Sequence, residues 1–180
     1  VMRFGKSFTA LCCAKEMEAK LVVIVCGKTA VRDEWKINVQ RPKILEGYHF
    51  VTTESLRANP NAVSEFLTEG KRVVVFLTLQ DLLGNDVKEH HKDLFEHNGQ
   101  GHIDLLIIDD LGTELTNSFS ITQLFDLLNK RQLHHRSTII STNLSMQHIK
   151  ETYSERIFSR IASSYDYIRL FGEDIRLKKL

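Results

Sequence analysis

The sequence feature that most constrains the fold is a run of four large aliphatic residues, 105–108, that leads directly into two carboxylates, Asp109 and Asp110. A continuous apolar run of this kind predicts a strand that is buried on both faces, as in a parallel sheet covered by helices. Such a strand delivers the residues that follow it to the carboxyl edge of the sheet, where α/β proteins keep their chemistry. The two acids are therefore the first candidates for a functional site.

A second feature, Gly5-Lys6-Ser7, predicts the end of a phosphate-binding loop that opens a helix over residues 8–20. In such a loop, backbone N–H groups and the helix dipole hold phosphate, a lysine bridges phosphate oxygens and a hydroxyl ligates magnesium. We predict these roles for Lys6 and Ser7. The tripeptide alone is equally compatible with chance, because the spacing GxxxxGK[ST] places the first glycine one residue before Val1 and the strand expected before the loop is missing. The acids downstream favour the nucleotide site.

Composition limits the functions that a chain of this size can carry. With 180 residues and 42% hydrophobic residues, the chain can fill one core but not two nucleotide-binding lobes. The 24 Lys and Arg nearly balance the 23 Asp and Glu, so no overall basic field indicates nucleic acid. The three cysteines are an odd number within apolar segments and indicate reduced thiols. Since the sequence has neither a signal peptide nor a long apolar run, we expect a cytoplasmic protein with no membrane partner.

Hydrophobic periodicity predicts the remaining elements. Strands are predicted at residues 21–26, 48–52, 71–78, 137–143 and 165–171. Helices are predicted at residues 29–39, 55–69 with a break near Asn59-Pro60, 87–98, 118–131, 147–153 and 154–161. This alternation predicts an α/β fold, a three-layer P-loop NTPase sandwich with a central, mostly parallel sheet of about five strands.

Polar residues beyond the acidic strand extend the candidate site. Asn143 ends the strand predicted at 137–143, and beside the acidic strand it could hold the attacking water or contact the γ-phosphate, although an amide at a strand end is also a common helix cap. Arg156 and Arg160 are predicted one turn apart on one helical face. They cannot both be buried without partners, and Glu151 and Glu155 are the nearby candidates for salt bridges.

Three further features carry structural predictions. Trp35 is predicted to pack between a helix and the sheet rather than to stack on a base. Arg131 and residues 134–136 form a local basic cluster, which we interpret as ordinary surface rather than a phosphate track. Thr78, Gln80 and Asp81 lie at the end of a buried strand, so we expect them on the same side of the sheet as the two acids.

From about residue 103 to residue 180 the chain resembles the AAA+ ATPase domain of the bacterial helicase loaders of the DnaC/DnaI type, which are related to the IstB transposition ATPases. The matching segments are Asp109-Asp110-Leu111-Gly112-Thr113-Glu114, Ser141-Thr142-Asn143-Leu144-Ser145, Tyr153-Ser154-Glu155-Arg156-Ile157-Phe158-Ser159-Arg160 and Gly172-Glu173-Asp174-Ile175-Arg176. In combination these segments are highly specific for that family.

The resemblance implies a role for each matching residue. Asp109 resembles the acid that holds magnesium together with Ser7, and Asp110 occupies the place of the acid that polarises the attacking water. Many relatives have the longer glutamate at this position. Because Asp110 has a shorter side chain, we expect hydrolysis to be slower than in those relatives. Asn143 resembles the first sensor, and Arg160 resembles the arginine finger that reaches the γ-phosphate bound to a neighbouring subunit, with Arg156 as its auxiliary. The predicted nucleotide-binding residues are Arg3, Phe4, Gly5, Lys6, Ser7, Phe8 and, as a second sensor, Arg176.

Residues 1–108 resemble another family, the first lobe of superfamily-two helicases of the restriction-enzyme sort, through residues 2–7 and Thr78-Leu79-Gln80-Asp81. Such helicases carry Asp-Glu, a small residue and His where this chain has Asp109-Asp110-Leu111-Gly112, and they need a second lobe. We predict a single domain, 1–180, with a phosphate-loop half (1–108) and a half that carries the acids, the sensor and the finger (109–180). The hypothesis that follows is a natural or constructed recombinant joined within the acidic strand.

The function implied by the resemblance is an ATP-binding, magnesium-dependent AAA+ ATPase of a replicative helicase loader in DNA replication. The implied partners are a replicative helicase, single-stranded DNA and further copies of the chain, which bring the arginine finger in trans. The amino-terminal helicase-binding segment of such loaders is not among the 180 residues, so we expect nucleotide binding without loading, and weak or no hydrolysis in isolation. Two alternatives stay open: a truncated superfamily-two helicase or translocase lobe, and a catalytically silent nucleotide-binding or scaffold module.

Overall fold

Five parallel strands form one sheet in a computed structural model that describes residues 6–40, 45–83, 103–113 and 117–169. The strands are β1 (Leu21–Cys26), β2 (Tyr48–Thr52), β3 (Arg72–Thr78), β4 (Leu105–Leu111) and β5 (Ser137–Thr142). Their order across the sheet is β2-β3-β1-β4-β5. The prediction of a mostly parallel sheet of about five strands is confirmed, and strands from both predicted halves of the chain pair within it.

Helices connect the strands in the described residues. They are α1 (Lys6–Glu16), α2 (Arg32–Val39), α3 (Thr53–Ala58), α4 (Ala62–Thr68), α5 (Leu79–Leu83), α6 (Ser118–Leu133), α7 (Met146–Tyr153) and α8 (Glu155–Ser164), with a 3-10 turn at Thr29–Val31 before α2. The predicted break near Asn59 separates α3 from α4. Asn117 exchanges side-chain and backbone hydrogen bonds with Ser120 in a capping box that begins α6. None of these described helices has the length and apolarity needed to cross a membrane.

Helices cover both faces of the sheet, which confirms the predicted three-layer sandwich. Alternate residues of a strand point to opposite faces. On one face, Val22 and Ile24 of β1 pack with α1 and α2. On the other face, Val23 and Val25 pack with helices α3 to α8. Every residue of β1 is consequently buried, which explains why a central parallel strand reads as a continuous apolar run.

Two sequence predictions about strands are corrected by the structure. The strand predicted as buried at 137–143 is only half-buried as β5, because β5 has a pairing partner, β4, on one side only among the described strands. The strand predicted at 165–171 is wrong for residues 165–169, which form no strand. The backbone N–H of Tyr165 donates to Ile161 of α8, and its side chain packs on the adjoining core, so the chain leaves α8 within the helical layer. Residues 170 and 171 and the helix predicted at 87–98 lie outside the described residues.

Arg131 corrects a third prediction, since it is 6% exposed and is not part of a surface cluster. Its guanidinium donates to the Thr138 hydroxyl (2.8 Å), the Ser137 carbonyl (2.6 Å) and the Ile103 carbonyl (3.3 Å). Burial lowers the pKa of Arg131 to about 10, so the side chain is still charged at neutral pH. Arg131 thereby ties the end of α6 to the beginning of β5 and to the residues that lead into β4.

Candidate active site

The carboxyl ends of three neighbouring strands meet at one edge of the sheet. In the sheet register, Cys26 of β1 pairs with Thr78 of β3 and with Asp109 of β4. The carboxylate of Asp81 accepts hydrogen bonds from the Thr78 N–H (3.1 Å), the Thr78 hydroxyl (2.7 Å) and the Thr53 hydroxyl (3.1 Å). The expectation that Thr78 and Asp81 lie on the side of the acids is confirmed, and Asp81 itself is used to fix the end of β3.

A β-bulge presents both acids at the end of β4. Ile108 pairs with Ile140 and Leu111 pairs with Thr142, so the pair Asp109 and Asp110 lies opposite a single residue of β5, Ser141. A bulge of this kind bends the strand and re-aims side chains. Asp110 has a φ of 52°, in the left-handed region that aspartate tolerates better than most residues. Consecutive acids, which would point to opposite faces of a regular strand, are thus both directed into the site.

Ser141 bonds to both acids at the bulge. Its hydroxyl accepts from the backbone N–H of Asp110 (3.0 Å) and donates to Oδ1 of Asp109 (2.6 Å). One side chain therefore satisfies the backbone donor that the bulge leaves unpaired and orients the neighbouring carboxylate.

The second oxygen of Asp109 has a different donor. The indole Nε1–H of Trp35, from α2, donates to Oδ2 of Asp109 at 3.1 Å. Trp35 is 2% exposed and packs in the core between α2 and the sheet, which confirms that it is a packing residue. Its hydrogen bond to Asp109 also connects α2 to the site.

Lys6 and Asn143 both reach Asp110. The Lys6 ammonium lies 2.9 Å from Oδ1 of Asp110, and the Asn143 side-chain amide donates to the same oxygen at 3.4 Å. The Lys6 side chain is 19% exposed and that of Asp110 is 38% exposed, so the pair faces solvent at the sheet edge. The structure therefore joins the predicted phosphate-loop lysine, the second acid and the predicted sensor in one cluster.

A tight turn after the bulge connects the acids to the segment that carries Asn143. Gly112 has a φ of +103°, and a Cβ at this position would lie 2.5 Å from Cδ1 of Leu144. The Thr142 hydroxyl donates to the Leu111 carbonyl (2.7 Å) and accepts from the Leu144 N–H (3.0 Å). The Leu144 side chain therefore lies directly against Gly112, and a side chain at residue 112 would have to displace it.

The acids give the sheet edge a negative potential. Burial raises the pKa of the Cys26 thiol, and the charges of Asp109 and Asp110 raise it further, against the lowering effect of a hydrogen bond to the Lys28 backbone. The charges of both carboxylates thus affect the pKa of a thiol within the sheet. Negative potential at a cleft edge attracts a divalent cation.

The donor set fits a magnesium–nucleotide complex rather than a metal held by protein alone. Within the described ranges no group of three His, Cys, Asp or Glu side chains could hold a metal ion. Magnesium is usually bound through one or two carboxylates, several waters and the phosphates of the nucleotide. Asp109 supplies a carboxylate, and Lys6 and Ser7 supply an ammonium and a hydroxyl on the first turn of the eleven-residue helix α1. These residues match the chemistry expected for phosphate and magnesium.

Other predicted site residues lie apart from this cluster or outside the described residues. Arg160 donates to the side-chain amide oxygen of Gln132 (2.5 Å) and lies over the Phe125 ring, so its contacts belong to α6. Arg156 is exposed beside it, and no described residue pairs with its guanidinium. Phe8, on α1, is 49% exposed. The predicted residues outside the described ranges are Arg3, Phe4, Gly5 and Arg176.

Sequence reasoning missed three residues that shape the site: Ser141, Trp35 and Gly112. The contacts of Ser141 could not be predicted because they depend on the β-bulge: residue 141 faces both acids only when one strand carries an extra residue. The contact of Trp35 spans 74 positions in sequence, and no local pattern encodes it. Gly112 had a usable signal, since a glycine directly after a strand end often marks a positive φ.

Comparisons with known proteins agree with this geometry. A family model described as "IstB-like ATP binding protein" matches residues 61–179, more than half of the chain and including β3. A "Replicative helicase loader DnaC" of Buchnera aphidicola subsp. Baizongia pistaciae is 23% identical over 125 residues, 67% of this chain and 51% of the relative. A "Putative insertion sequence ATP-binding protein y4pL" of Sinorhizobium fredii is 36% identical over 81 residues, 42% of this chain and 33% of the relative. The chain thus spans about half of one of these relatives and a third of the other. Because this family model matches more than half of the chain, the chain belongs to the family of IstB-like ATP-binding proteins, a family of P-loop ATPases.

Proposed function

We propose that the chain is a magnesium-dependent ATP hydrolase that acts as the motor of a replicative helicase loader. The observation that carries the hydrolase part is the cluster in which Lys6 and Asn143 meet on Asp110, beside an Asp109 whose two oxygens are both held by donors. Membership of an ATP-binding family supports nucleotide as the ligand.

Each residue of the cluster has a task in this proposal. Lys6 exchanges Asp110 for phosphate oxygens, which frees the Asp110 carboxylate to accept a hydrogen bond from the attacking water. Asn143 holds that water in line with the γ-phosphate, as polar side chains do in other nucleotide hydrolases. Ser7 and Asp109 would hold magnesium, which would neutralise charge on the phosphates. The rate gain would come from positioning and electrostatics rather than from a covalent intermediate.

The loader role rests on the likeness to the protein called a replicative helicase loader, together with the motifs around Arg156 and Arg160. In this role copies of the chain associate, Arg160 acts in trans on a neighbour's γ-phosphate, and the assembly handles a ring helicase on single-stranded DNA in the cytoplasm. A second candidate is an ATPase that serves transposition, favoured by the higher identity to the insertion-sequence protein. ATP turnover measured with a ring helicase on single-stranded DNA and, separately, with a transposase distinguishes the two: stimulation by the helicase supports the first role, and stimulation by the transposase supports the second.

Isothermal titration with ATP and magnesium tests the nucleotide site. We expect heat of binding in the wild-type chain and its loss in Lys6→Ala, because Lys6 is the cation at the phosphate position. Lys15→Ala is the matched control, since it removes the same charge from the exposed end of the same helix. Identical heats in wild type and Lys6→Ala would leave the silent scaffold module as the better description.

A further inference from the structure

We infer that Trp35 is a positioning residue for Asp109: its indole N–H, together with the Ser141 hydroxyl, holds the carboxylate in the orientation that receives hydrated magnesium. The inference rests on the proposed function, because it assigns a purpose to Trp35 within the same site. Trp35 contacts neither the nucleotide nor the metal in this scheme and acts through Asp109 alone.

The first argument is the pairing of donors with oxygens. Trp35 donates to Oδ2 of Asp109 at 3.1 Å, while Ser141 donates to Oδ1 at 2.6 Å. The last torsion of an aspartate side chain is broad, so one donor would leave the carboxylate free to rotate. Donors from two different elements, α2 and β5, on the two oxygens define a single plane. Each oxygen still has acceptor capacity for a metal-bound water.

The second argument is the charge of the donors. Indole and hydroxyl groups are neutral, so Asp109 keeps its full negative charge toward a cation. Asp110 in contrast is paired with the Lys6 ammonium at 2.9 Å. Two adjacent acids are thus differentiated by their partners, one suited to attract magnesium and one suited to exchange a lysine for water. Outer partners of this kind commonly orient metal ligands and tune their affinity.

The third argument is burial. Trp35 is 2% exposed within the core that includes Cys26 and Phe76, and its N–H can only donate. A buried N–H without an acceptor costs about 1–3 kcal/mol in general. Aliphatic packing would need no such acceptor, so the use of tryptophan at this position is explained by a donor directed at Asp109.

The experiment exploits the fact that Trp35 is the single tryptophan of the chain. Biosynthetic replacement of tryptophan by benzothienylalanine changes only this residue, retains the ring shape and replaces N–H by sulfur. We expect ADP affinity in EDTA to be unchanged, while the magnesium concentration that gives half of the affinity gain rises about 10-fold, as for other outer-shell changes. Ser141→Ala should shift the magnesium dependence in the same direction. Val39→Ala, a packing loss on the same helix, should leave it unchanged.

A second readout follows the hydrogen bond itself. The chain should give one indole cross-peak in a proton–nitrogen correlation spectrum, and Asp109→Asn should move that peak upfield because the acceptor loses its charge. Equal magnesium dependence in wild type and the benzothienyl protein, or an indole peak that ignores Asp109→Asn, would overturn the inference. If the wild-type chain binds no ADP with or without magnesium, the proposed function itself fails, an outcome that is distinct from the other two.

Discussion

Two consecutive aspartates can carry different duties when their neighbours differ. Asp109 is held by the neutral donors Trp35 and Ser141, whereas Asp110 is held by the cation Lys6 and the amide of Asn143. In water the two side chains are chemically the same. Their assignment as metal ligand and water acceptor therefore depends on these contacts.

Asp110→Asn should separate binding from turnover. We expect ATP affinity to stay equal or to rise, because the variant removes a negative charge that repels phosphate and competes for Lys6. We expect turnover to fall about 10²–10⁴-fold, the usual contribution of a positioned proton acceptor. Calorimetry measures the affinity, and phosphate release in single-turnover conditions measures the rate.

Asp126→Asn is the control for Asp110→Asn, since it makes the same change at an exposed position of α6 and should alter neither quantity. If turnover is unchanged in Asp110→Asn, Asp110 has no part in the mechanism, and another group accepts the hydrogen bond from the attacking water.

At the scale of residues, the sequence was informative wherever chemistry sits at a strand end. Asp110 and Asn143 could be predicted to lie close together, because parallel strands bring their carboxyl ends to one edge. Ser141 and Trp35 could not be predicted, because their contacts depend on the bulge and on how α2 lies against the sheet. Those are properties of packing between elements rather than of a local pattern.

At the scale of elements, the turn that follows β4 leaves no room for a side chain at Gly112 unless Leu144 moves. Gly112 combines a φ of +103° with direct contact to Leu144, while Gly70 has a φ of +75° and nothing within 4 Å of an added Cβ. The two glycines therefore form a natural pair: both need positive φ, and only one also needs the missing side chain.

Gly112→Ala should destabilise the protein more than Gly70→Ala does. An L-residue in the left-handed region costs about 1–2 kcal/mol, which we expect at both positions. Displacing Leu144 from its rotamer should add about 1 kcal/mol at residue 112. Urea unfolding measures the difference. ATP turnover should fall in Gly112→Ala but not in Gly70→Ala. If both variants lose the same stability, Leu144 can move aside without a free-energy penalty.

Arg131 provides a second prediction about how elements are joined. Arg131→Met should lower the free energy of unfolding by about 3 kcal/mol, because two carbonyls and a hydroxyl at the beginning of the strands lose their donor. Lys130→Met removes the same charge from the adjacent exposed position and should change stability by less than about 0.5 kcal/mol. Chemical denaturation measures the free energy of unfolding of both variants. If the two values are equal, the hydrogen bonds of Arg131 do not contribute to stability.

Element boundaries show where periodicity stops being informative. The buried strands β1, β3 and β4 were readable because both of their faces are covered. β5 was also predicted as a buried strand, yet among the described strands it has a partner on one side only and is half-buried. Residues 165–169 have strand-like composition but pair with none of the described strands, since pairing depends on where the chain leaves α8. The charge of Arg131 suggested surface, and only its three acceptors reveal why it is inside.

At the scale of the whole molecule, the two sets of proposed functional residues lie in different helical layers. Lys6 belongs to α1, which packs on one face of the sheet, and Arg160 belongs to α8, which packs on the other. Among the described contacts, neither Arg156 nor Arg160 touches Lys6, Asp109 or Asp110. A site that needs both sets would therefore take its arginines from a second copy of the chain.

The hypothesis of a recombinant chain belongs to this scale as well. The family match begins at residue 61, before the acidic strand at which the two resemblances were divided, and β1 and β4 pair along their length. Separate searches with residues 1–108 and 109–180 test the hypothesis: the same full-length proteins returned by both would exclude it.

Mixing inactive variants tests the shared site. Lys6→Ala lacks a binding site but keeps its arginines, and Arg160→Ala has the opposite defect, so each should be inactive alone, with a loss of about 10³–10⁵ for a missing finger. An equimolar mixture should regain turnover, because Arg160 of one chain can serve the intact site of the other. A mixture of Lys6→Ala with Asp110→Asn is the control, since both defects lie in one site and no pairing repairs it. Wild-type turnover per chain should also rise with protein concentration. Full activity of dilute Arg160→Ala, stimulated by DNA, would instead favour a helicase or translocase lobe that works as a monomer.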